Sequence, residues 1–314
     1  MNFNEFEKYK SLVDSELDNL YSNGPKLLLE PINHILKGGK RLRPLLCILS
    51  YESIKNDRNS EILSVATSIE LLHIFSLIHD DIMDDDKLRH GVETIHTKWS
   101  IPVGILAGDA VLALAMKQIN KSSKIIIEKF NDGLLKVCEG QALDVEFESV
   151  IDLDISEYIK MINLKTGYML GLSAQLGSLA AGLDLKSSSS YMNFGLLLGE
   201  AFQLQDDLLE IISTKEQMGK SLTSDIVLNK KTYLYINAYK KFPEELDSLF
   251  NKFKYDNSKL VENFRNLLYE KKIIEECSDR IDSTFCNIYK LLDDINCDKN
   301  KLSIFVNNIR NRKF

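Results

Sequence analysis

Five aspartates fall within seven positions of the stretch HDDIMDDDKLRHG, His79 to Gly91: Asp80, Asp81, Asp84, Asp85 and Asp86. Crowded carboxylates repel and raise one another's pKa, so the run is either a solvated loop or the seat of something positive. Far along the chain, in GEAFQLQDDLLEI, Asp206, Asp207 and Glu210 repeat the spacing of Asp80, Asp81 and Asp84. On a helix, positions i and i+4 share a face and i+1 lies beside them, so each triplet turns its carboxylates to one side. A lone acidic run is most often a solvated face. Two matched runs, each ending a long apolar segment, favour an oxygen-lined cleft. Hard oxygen ligands select magnesium or manganese, and magnesium commonly shares its shell with substrate phosphates. A calcium loop of the EF-hand type fails, because counting back from Gly91 at its sixth position gives Asp86, Leu88 and His90. Asp85 and Asp86 are then a solvated extension with no assigned task.

A cleft of this kind calls for an anionic substrate, and cations lie at fitting places. GGKRLRP, Gly38 to Pro44, sets Lys40, Arg41 and Arg43 behind two glycines at an expected helix start. Helix N-termini hold phosphate oxygens and Arg forks add bidentate contacts. Arg89 and His90 follow the first acidic run; Lys165 lies in NLKTGYM, Lys220 in GKSLTSD and Lys230 in NKKT. For any one of these cations alone, a solvated surface group is the ordinary role.

The elements that must position these groups are helices. Only five prolines occur in 314 residues, and apolar residues recur at helical spacing over 3–21, 25–36, 41–56, 60–84, 102–121, 124–149, 156–182, 188–213, 230–241, 244–253, 257–271 and 273–295. Alternating strand patterns with hairpin turns are absent. The segments 60–84 and 188–213 are apolar on more than one face, which places them inside a bundle. The serines Ser187 to Ser190 read as a turn with a helix N-cap. The chain grows richer in Lys and Asn after about residue 242 but stays helical, so residues 1–314 are taken as one domain. The apolar run from Ile62 to Ile78 contains Glu70 and His73 and is slightly short for a membrane span, so a buried helix is expected and no span. A net charge of −7 without a basic stripe argues against nucleic acid as a partner. Five scattered cysteines with no CxxC pair suggest neither disulfides nor zinc, and the charged N-terminus is no signal peptide, so a reducing, cytoplasmic setting is expected.

In order along nearly the whole chain, GGKRLRP, LIHDDIMDDDKLRHG, GILAGDAVLALA, GQALDVEF, KTGYM, FQLQDDLLE and GKSLTSDIVLNKKT resemble the trans-isoprenyl diphosphate synthases, or polyprenyl synthetases. The resemblance implies an all-α bundle around a deep central cavity, the isoprenoid synthase fold, and a homodimer. It implies that three magnesium ions hold an allylic diphosphate between the two acidic motifs. The carbon–oxygen bond ionises, isopentenyl diphosphate attacks the allylic cation, and a proton is lost. By the same resemblance Asp80, Asp81, Asp84, Asp206, Asp207 and Glu210 are the metal motifs. Arg89, Lys165, Lys220 and Lys230 match the allylic diphosphate site, and Lys40, Arg43, His73 and His90 the isopentenyl diphosphate site. Thr166 and Gln203 match oxygens that face the cation, with Lys165 and Lys220 beside the reacting diphosphate. Gln141 and Asp144 match a polar pair that organises metal waters and Lys neighbours, and Asp225 an acid near Lys220 and Lys230.

The chain departs from the family pattern at Glu210, where Asp is usual, at His90, where a second Arg is usual, and at Ser221 and Thr223, where Pro and Gly are common. A histidine has fewer donors than Arg and is only partly protonated near neutrality, which would weaken isopentenyl diphosphate binding and make it pH-dependent. The basic tail RNRKF either folds over the diphosphates or frays. Relatives set product length just upstream of the first motif. Phe75 and Ser76 stand there, roughly 6–8 Å down the helix from Asp80. Phe75 favours geranylgeranyl diphosphate as product, with farnesyl diphosphate or a longer polyprenyl diphosphate as the alternative. A terpene cyclase would not need GGKRLRP, and a catalytically silent subunit would lose one acidic motif.

Overall fold

The computed structural model describes residues 3–55, 59–89, 91–212 and 230–312. The expectations placed on His90, Lys220, Ser221, Thr223, Asp225 and the last two residues lie outside them. The fold is all-α. The first half runs α1 (Phe3–Asp18), α2 (Lys26–Ile35), α3 (Leu42–Glu52), α4 (Ser60–Met83), a short hairpin of β1 (Leu88–Arg89) and β2 (Val92–Glu93), α5 (Ile95–Lys98), α6 (Ile101–Ile119) and α7 (Lys124–Glu148). Next come α8 (Ile155–Ile162), a π-helical turn (Asn163–Gly167), α9 (Tyr168–Ala180) and α10 (Leu185–Ile212). The C-terminal part is α11 (Tyr233–Lys241), α12 (Pro243–Lys252), α13 (Asn257–Glu270), α14 (Ile273–Asp294) and α15 (Asn300–Arg310).

Helices apolar all round belong at the centre, and that is where they lie. Every residue of α9 from Met169 to Ala180 is buried. It packs between α3, α7 and α10, while α4 packs along α6, α3 and α9, and α14 along α10. Capping fixes where the central helices begin: the Asn59 side chain accepts from the Ile62 N–H at 3.0 Å to start α4. On α4, His73, Ser76, Leu77 and Asp80 are only half-buried, although Leu71, Leu72, Ile74, Ile78 and Asp81 around them are buried. Their spacing of three, four and seven residues puts them on one face of α4.

Four expectations change. The serine run lies inside α10, because Asp184 caps it by accepting from the Ser187 N–H at 2.7 Å; the carboxylate takes the cap position ahead of the serines. The stretch 156–182 is two α-helices with a π-turn between them. The hairpin was not anticipated, since two-residue strands have no room for alternation. Nor was α15, although Leu302, Phe305, Val306 and Ile309 form its buried stripe. It packs on α3, α10 and α14 and brings the end of the chain back to α10. Lys301 at its start donates to Glu52 on α3 at 2.6 Å, and Tyr9 on α1 donates to the same carboxylate oxygen at 2.6 Å.

By length and composition α4 and α6 could each cross a membrane, so the expected shortfall in length does not hold: α4 runs 24 residues. Packing distinguishes them, since the most apolar window of α4 is 67% buried and that of α6 39%. Ile101, Ile105 and Leu106 on α6 are exposed.

Candidate active site

The first acidic motif occupies the last turn of α4, with Asp84 as its C-cap. Carboxylates at a helix C-terminus face the negative end of its dipole, so they need cations nearby. The hairpin returns Arg89, whose Nε donates to Asp81 at 2.5 Å and whose Nη2 donates to Asp86 at 3.1 Å. Asp86 is therefore no idle extension; it shares Arg89 with the motif. Asp85 is exposed, sits at φ 52° and pairs with Lys87. Lys165 stands 3.8 Å from Asp80 and donates to Asp144 at 2.6 Å. Lys230, from just before α11, donates to Asp84 at 3.1 Å. Burial raises the Asp80 carboxyl to about 6, against the pull of Lys165 and Arg89 and with the help of Asp84. Burial lowers the Lys165 pKa, but Asp80 and Asp144 outweigh it and the net shift is upward.

Lys165 and Thr166 reach the site because the helix widens into a π-turn at Asn163–Gly167. Two glycines on neighbouring helices make room. A Cβ on Gly140 of α7 would sit 2.4 Å from the Lys165 backbone nitrogen, and one on Gly199 of α10 would sit 2.3 Å from the Gly167 Cα. Thr166 donates to Gln203 Oε1 at 3.0 Å, and Gln203 Nε2 donates to Asp207 at 3.2 Å. Because the carboxylate can only accept, it fixes the Gln203 amide with its oxygen on the Thr166 side.

Asp207 is buried and also accepts from the Tyr158 hydroxyl at 2.5 Å and the Tyr233 N–H at 3.0 Å. Burial, then Asp207, raises the Tyr158 pKa well above its usual value, so the phenol stays a donor. Neither tyrosine was found from sequence: Tyr158 lies 49 residues from Asp207, and Tyr233 acts through its backbone. Asp206 pairs with Arg312 at 2.8 Å, and the Arg312 guanidinium lies 3.8 Å from the centre of the Phe202 ring. The described part of the tail packs back on α10, where Arg312 also donates to the Gln205 side chain at 3.2 Å and the Phe202 carbonyl at 2.6 Å. Burial raises the Asp206 pKa, opposed by Arg312, Lys40 and Arg43. A cavity beside the motif is lined by Asp207, Glu210, Lys230 and Thr232, with Tyr235, Phe250 and Phe264 behind.

Arg43 and His73 meet at 3.0 Å, Nη1 to Nε2. Arg41 turns away from them into the protein. Ser76 donates to the His73 carbonyl at 2.9 Å. The Phe75 ring meets the His79 imidazole edge-on at 4.7 Å between centroids, and His79 lies against Gly108 of α6. Phe75 thus stands on the α6 side of α4, beside the Ser76–Asp80 stripe. The Gln141 amide approaches Met83 Sδ at 4.0 Å.

The acids at the end of α4 and on α10 are carboxylates alone, and oxygen donors of that kind suit a hard divalent cation. Among the described residues no three acidic, His or Cys side chains converge into an all-protein cage.

The sequence profile described as polyprenyl synthetase matches residues 25–270. The chain belongs to the polyprenyl synthetase family. A short chain isoprenyl diphosphate synthase of Methanothermobacter thermautotrophicus is 36% identical over 245 residues, covering 76% of this chain and 75% of that one. A geranylgeranyl pyrophosphate synthase of Geoglobus acetivorans is 39% identical over 238 residues, 73% of this chain and 74% of that one. The crystal structure of a geranylgeranyl pyrophosphate synthetase from Pyrococcus horikoshii superposes with a TM-score of 0.91 at 29% identity, covering 99% of this chain and 98% of that one. Polyprenyl synthetases are prenyltransferases that act on isoprenoid diphosphates and generally depend on a divalent metal. This chain is accordingly a prenyltransferase with the family's all-α fold.

Proposed function

We propose that this chain condenses isopentenyl diphosphate head-to-tail with an allylic diphosphate and releases geranylgeranyl diphosphate. The observation that carries the reading is the convergence of Arg89, Lys165 and Lys230, from three separate elements, on the carboxylates of the first motif. Cations so placed can exchange those acids for the oxygens of a diphosphate. Arg89, Lys165 and Lys230, with Lys220, hold the allylic diphosphate. Asp80, Asp81, Asp84, Asp206, Asp207 and Glu210 would hold magnesium, three ions per site by family likeness, with manganese an alternative. The bound metal would stabilise negative charge developing on the departing pyrophosphate. The Gln203 oxygen, oriented by Asp207, and the Thr166 hydroxyl face the allylic cation. Lys40, Arg43, His73 and His90 hold isopentenyl diphosphate, and exclusion of water protects the allylic cation.

The product length is supported by the names of the relatives from Geoglobus acetivorans and Pyrococcus horikoshii and by Phe75, five residues before Asp80. The exposed apolar face of α6, with Ile101, Ile105 and Leu106, supports a homodimer built on that helix. Five unbridged cysteines agree with a reducing, cytoplasmic setting. The test is product analysis with isopentenyl diphosphate and each allylic primer in turn, by reverse-phase separation after dephosphorylation. Geranylgeraniol as the end product is expected, and a shorter or longer alcohol overturns the product assignment. Phe75→Ala should lengthen the product; an unchanged length would remove Phe75 from the residues that set it.

A further inference from the structure

Within GGKRLRP the three cations have different fates. Lys40 is exposed and Arg43 meets His73, but Arg41 is 5% exposed and faces inward. Its Nε donates to Asp14 on α1 at 2.8 Å, its Nη1 to Glu70 on α4 at 2.8 Å, and its Nη2 to the Leu36 carbonyl after α2. One guanidinium thus ties the loop to three helices. Its backbone is left-handed, at φ 50° and ψ 36°, and follows Gly38 and Gly39 at φ 84° and 87°. Arg41 is also the N-cap of α3, so it sets both the direction in which Lys40 leaves the loop and the point at which the helix bearing Arg43 begins. Glu70 lies one helical turn before His73, the partner of Arg43, and acts electrostatically on Arg43 as well.

We propose that Arg41 is the positioning residue of the isopentenyl diphosphate site, holding Lys40 and Arg43 in register with His73 through Asp14, Glu70 and the Leu36 carbonyl. This rests on the assignment of Lys40, Arg43 and His73 to that substrate. Arg41 touches no substrate itself. A Lys in its place keeps the charge but cannot reach three acceptors in fixed directions. The loop would then lose its register, and small displacements of binding groups carry large kinetic costs.

The experiment varies each substrate with the other saturating, for the wild type, Arg41→Lys and Asp14→Asn, with thermal unfolding in parallel. Arg41→Lys should raise KM for isopentenyl diphosphate about 10-fold and leave KM for the allylic diphosphate within about 2-fold. Asp14→Asn removes only one of the ties and should move the same constant in the same direction by about 3-fold. Equal rises in both KM values, or a lowered unfolding temperature with neither KM changed, overturn the proposal, because a merely structural residue behaves in those ways. If Arg41→Lys does not fold, Asp14→Asn decides alone by the same criterion. A wild-type chain that does not consume isopentenyl diphosphate overturns the underlying assignment instead.

Discussion

The two acidic motifs share a spacing and differ in what surrounds them. At the end of α4, Asp80, Asp81 and Asp84 face Lys165, Arg89 and Lys230, long cationic side chains from three other elements. On α10, Asp207 is gripped by neutral donors: the Tyr158 hydroxyl, the Tyr233 N–H and the Gln203 amide. Charged partners on flexible stems can be exchanged for a substrate. A buried carboxylate with three fixed neutral donors cannot move without leaving them unpaired, which is costly. On the proposed function the first motif is a charge store for a diphosphate and its metal to redistribute, and Asp207 a post that also orients Gln203.

The largest effects should be on turnover. Asp81→Asn and Asp207→Asn should each lower kcat by about 10²–10³-fold, the scale for losing one group that stabilises charge in the transition state. Steady-state rates with magnesium present check this, and near-normal turnover in either variant would remove that residue from the metal set. Stability should then separate the motifs. Asp207→Asn replaces an acceptor of three donors and should cost about 2–3 kcal/mol in urea unfolding at any pH near neutrality. Asp80→Asn should do the reverse. The folded pKa of Asp80, about 6, lies above its ordinary 3.8. An acid raised on folding contributes stability that is fully present below the unfolded value and lost as pH rises through the folded one. Asp80→Asn should therefore be more stable than the wild type at pH 8 without metal, by up to roughly 3 kcal/mol, with the advantage shrinking towards pH 4. Effects of the same sign at both motifs would break the contrast.

How far this was legible in the sequence follows the same division. The charged half was visible: acidic triplets at helical spacing, apolar helices before them, and isolated Lys and Arg in the right order. Periodicity was enough to place α4, α7 and α10 within a few residues, because each has a long apolar stripe or core. The neutral half left no local mark. Tyr158 stands among ordinary amphipathic residues of α8, and nothing near it announces a bond to α10. The π-turn depends on Gly140 and Gly199, which sit on other helices, so the run 156–182 looks like one uninterrupted helix. Residue type also hid the split within GGKRLRP: Arg41 and Arg43 are chemically identical, and the left-handed backbone at Arg41 and its acceptors Asp14 and Glu70 on other helices set them apart. The stripe of α15 could have been found, since Leu302, Phe305, Val306 and Ile309 follow the helical period.

The neutral half can be tested one donor at a time. Tyr158→Phe keeps the ring and removes one donor to Asp207. It should cost about 1–2 kcal/mol, less than Asp207→Asn, because the carboxylate keeps the Tyr233 N–H and the Gln203 amide among its partners and the lost bond is a single one to a charged group. Urea unfolding of both variants at one pH measures the difference. A Tyr158→Phe chain as unstable as Asp207→Asn would mean that the phenol alone holds the post.

Arg312 offers the smallest and most discriminating effect, because it places a cation of the first kind on the second motif. It pairs with Asp206, stacks on Phe202 and is 16% exposed at the side chain. Lys40 and Arg43 bear on the same carboxylate. Asp206 is thus the part of the second motif that resembles the first, a charge matched by long cations, while Asp207 beside it accepts from a phenol, a backbone N–H and an amide. Arg312→Ala should leave stability within about 1 kcal/mol, as for a partly screened ion pair. If Arg312 joins Lys40 and Arg43 in holding the second diphosphate, its loss should raise KM for isopentenyl diphosphate by about 3-fold, with a steeper salt dependence in the wild type than in the variant. Rates measured at two ionic strengths decide. An unchanged KM would confine Arg312 to anchoring the end of α15, and the exchangeable cations would then belong to the first motif alone.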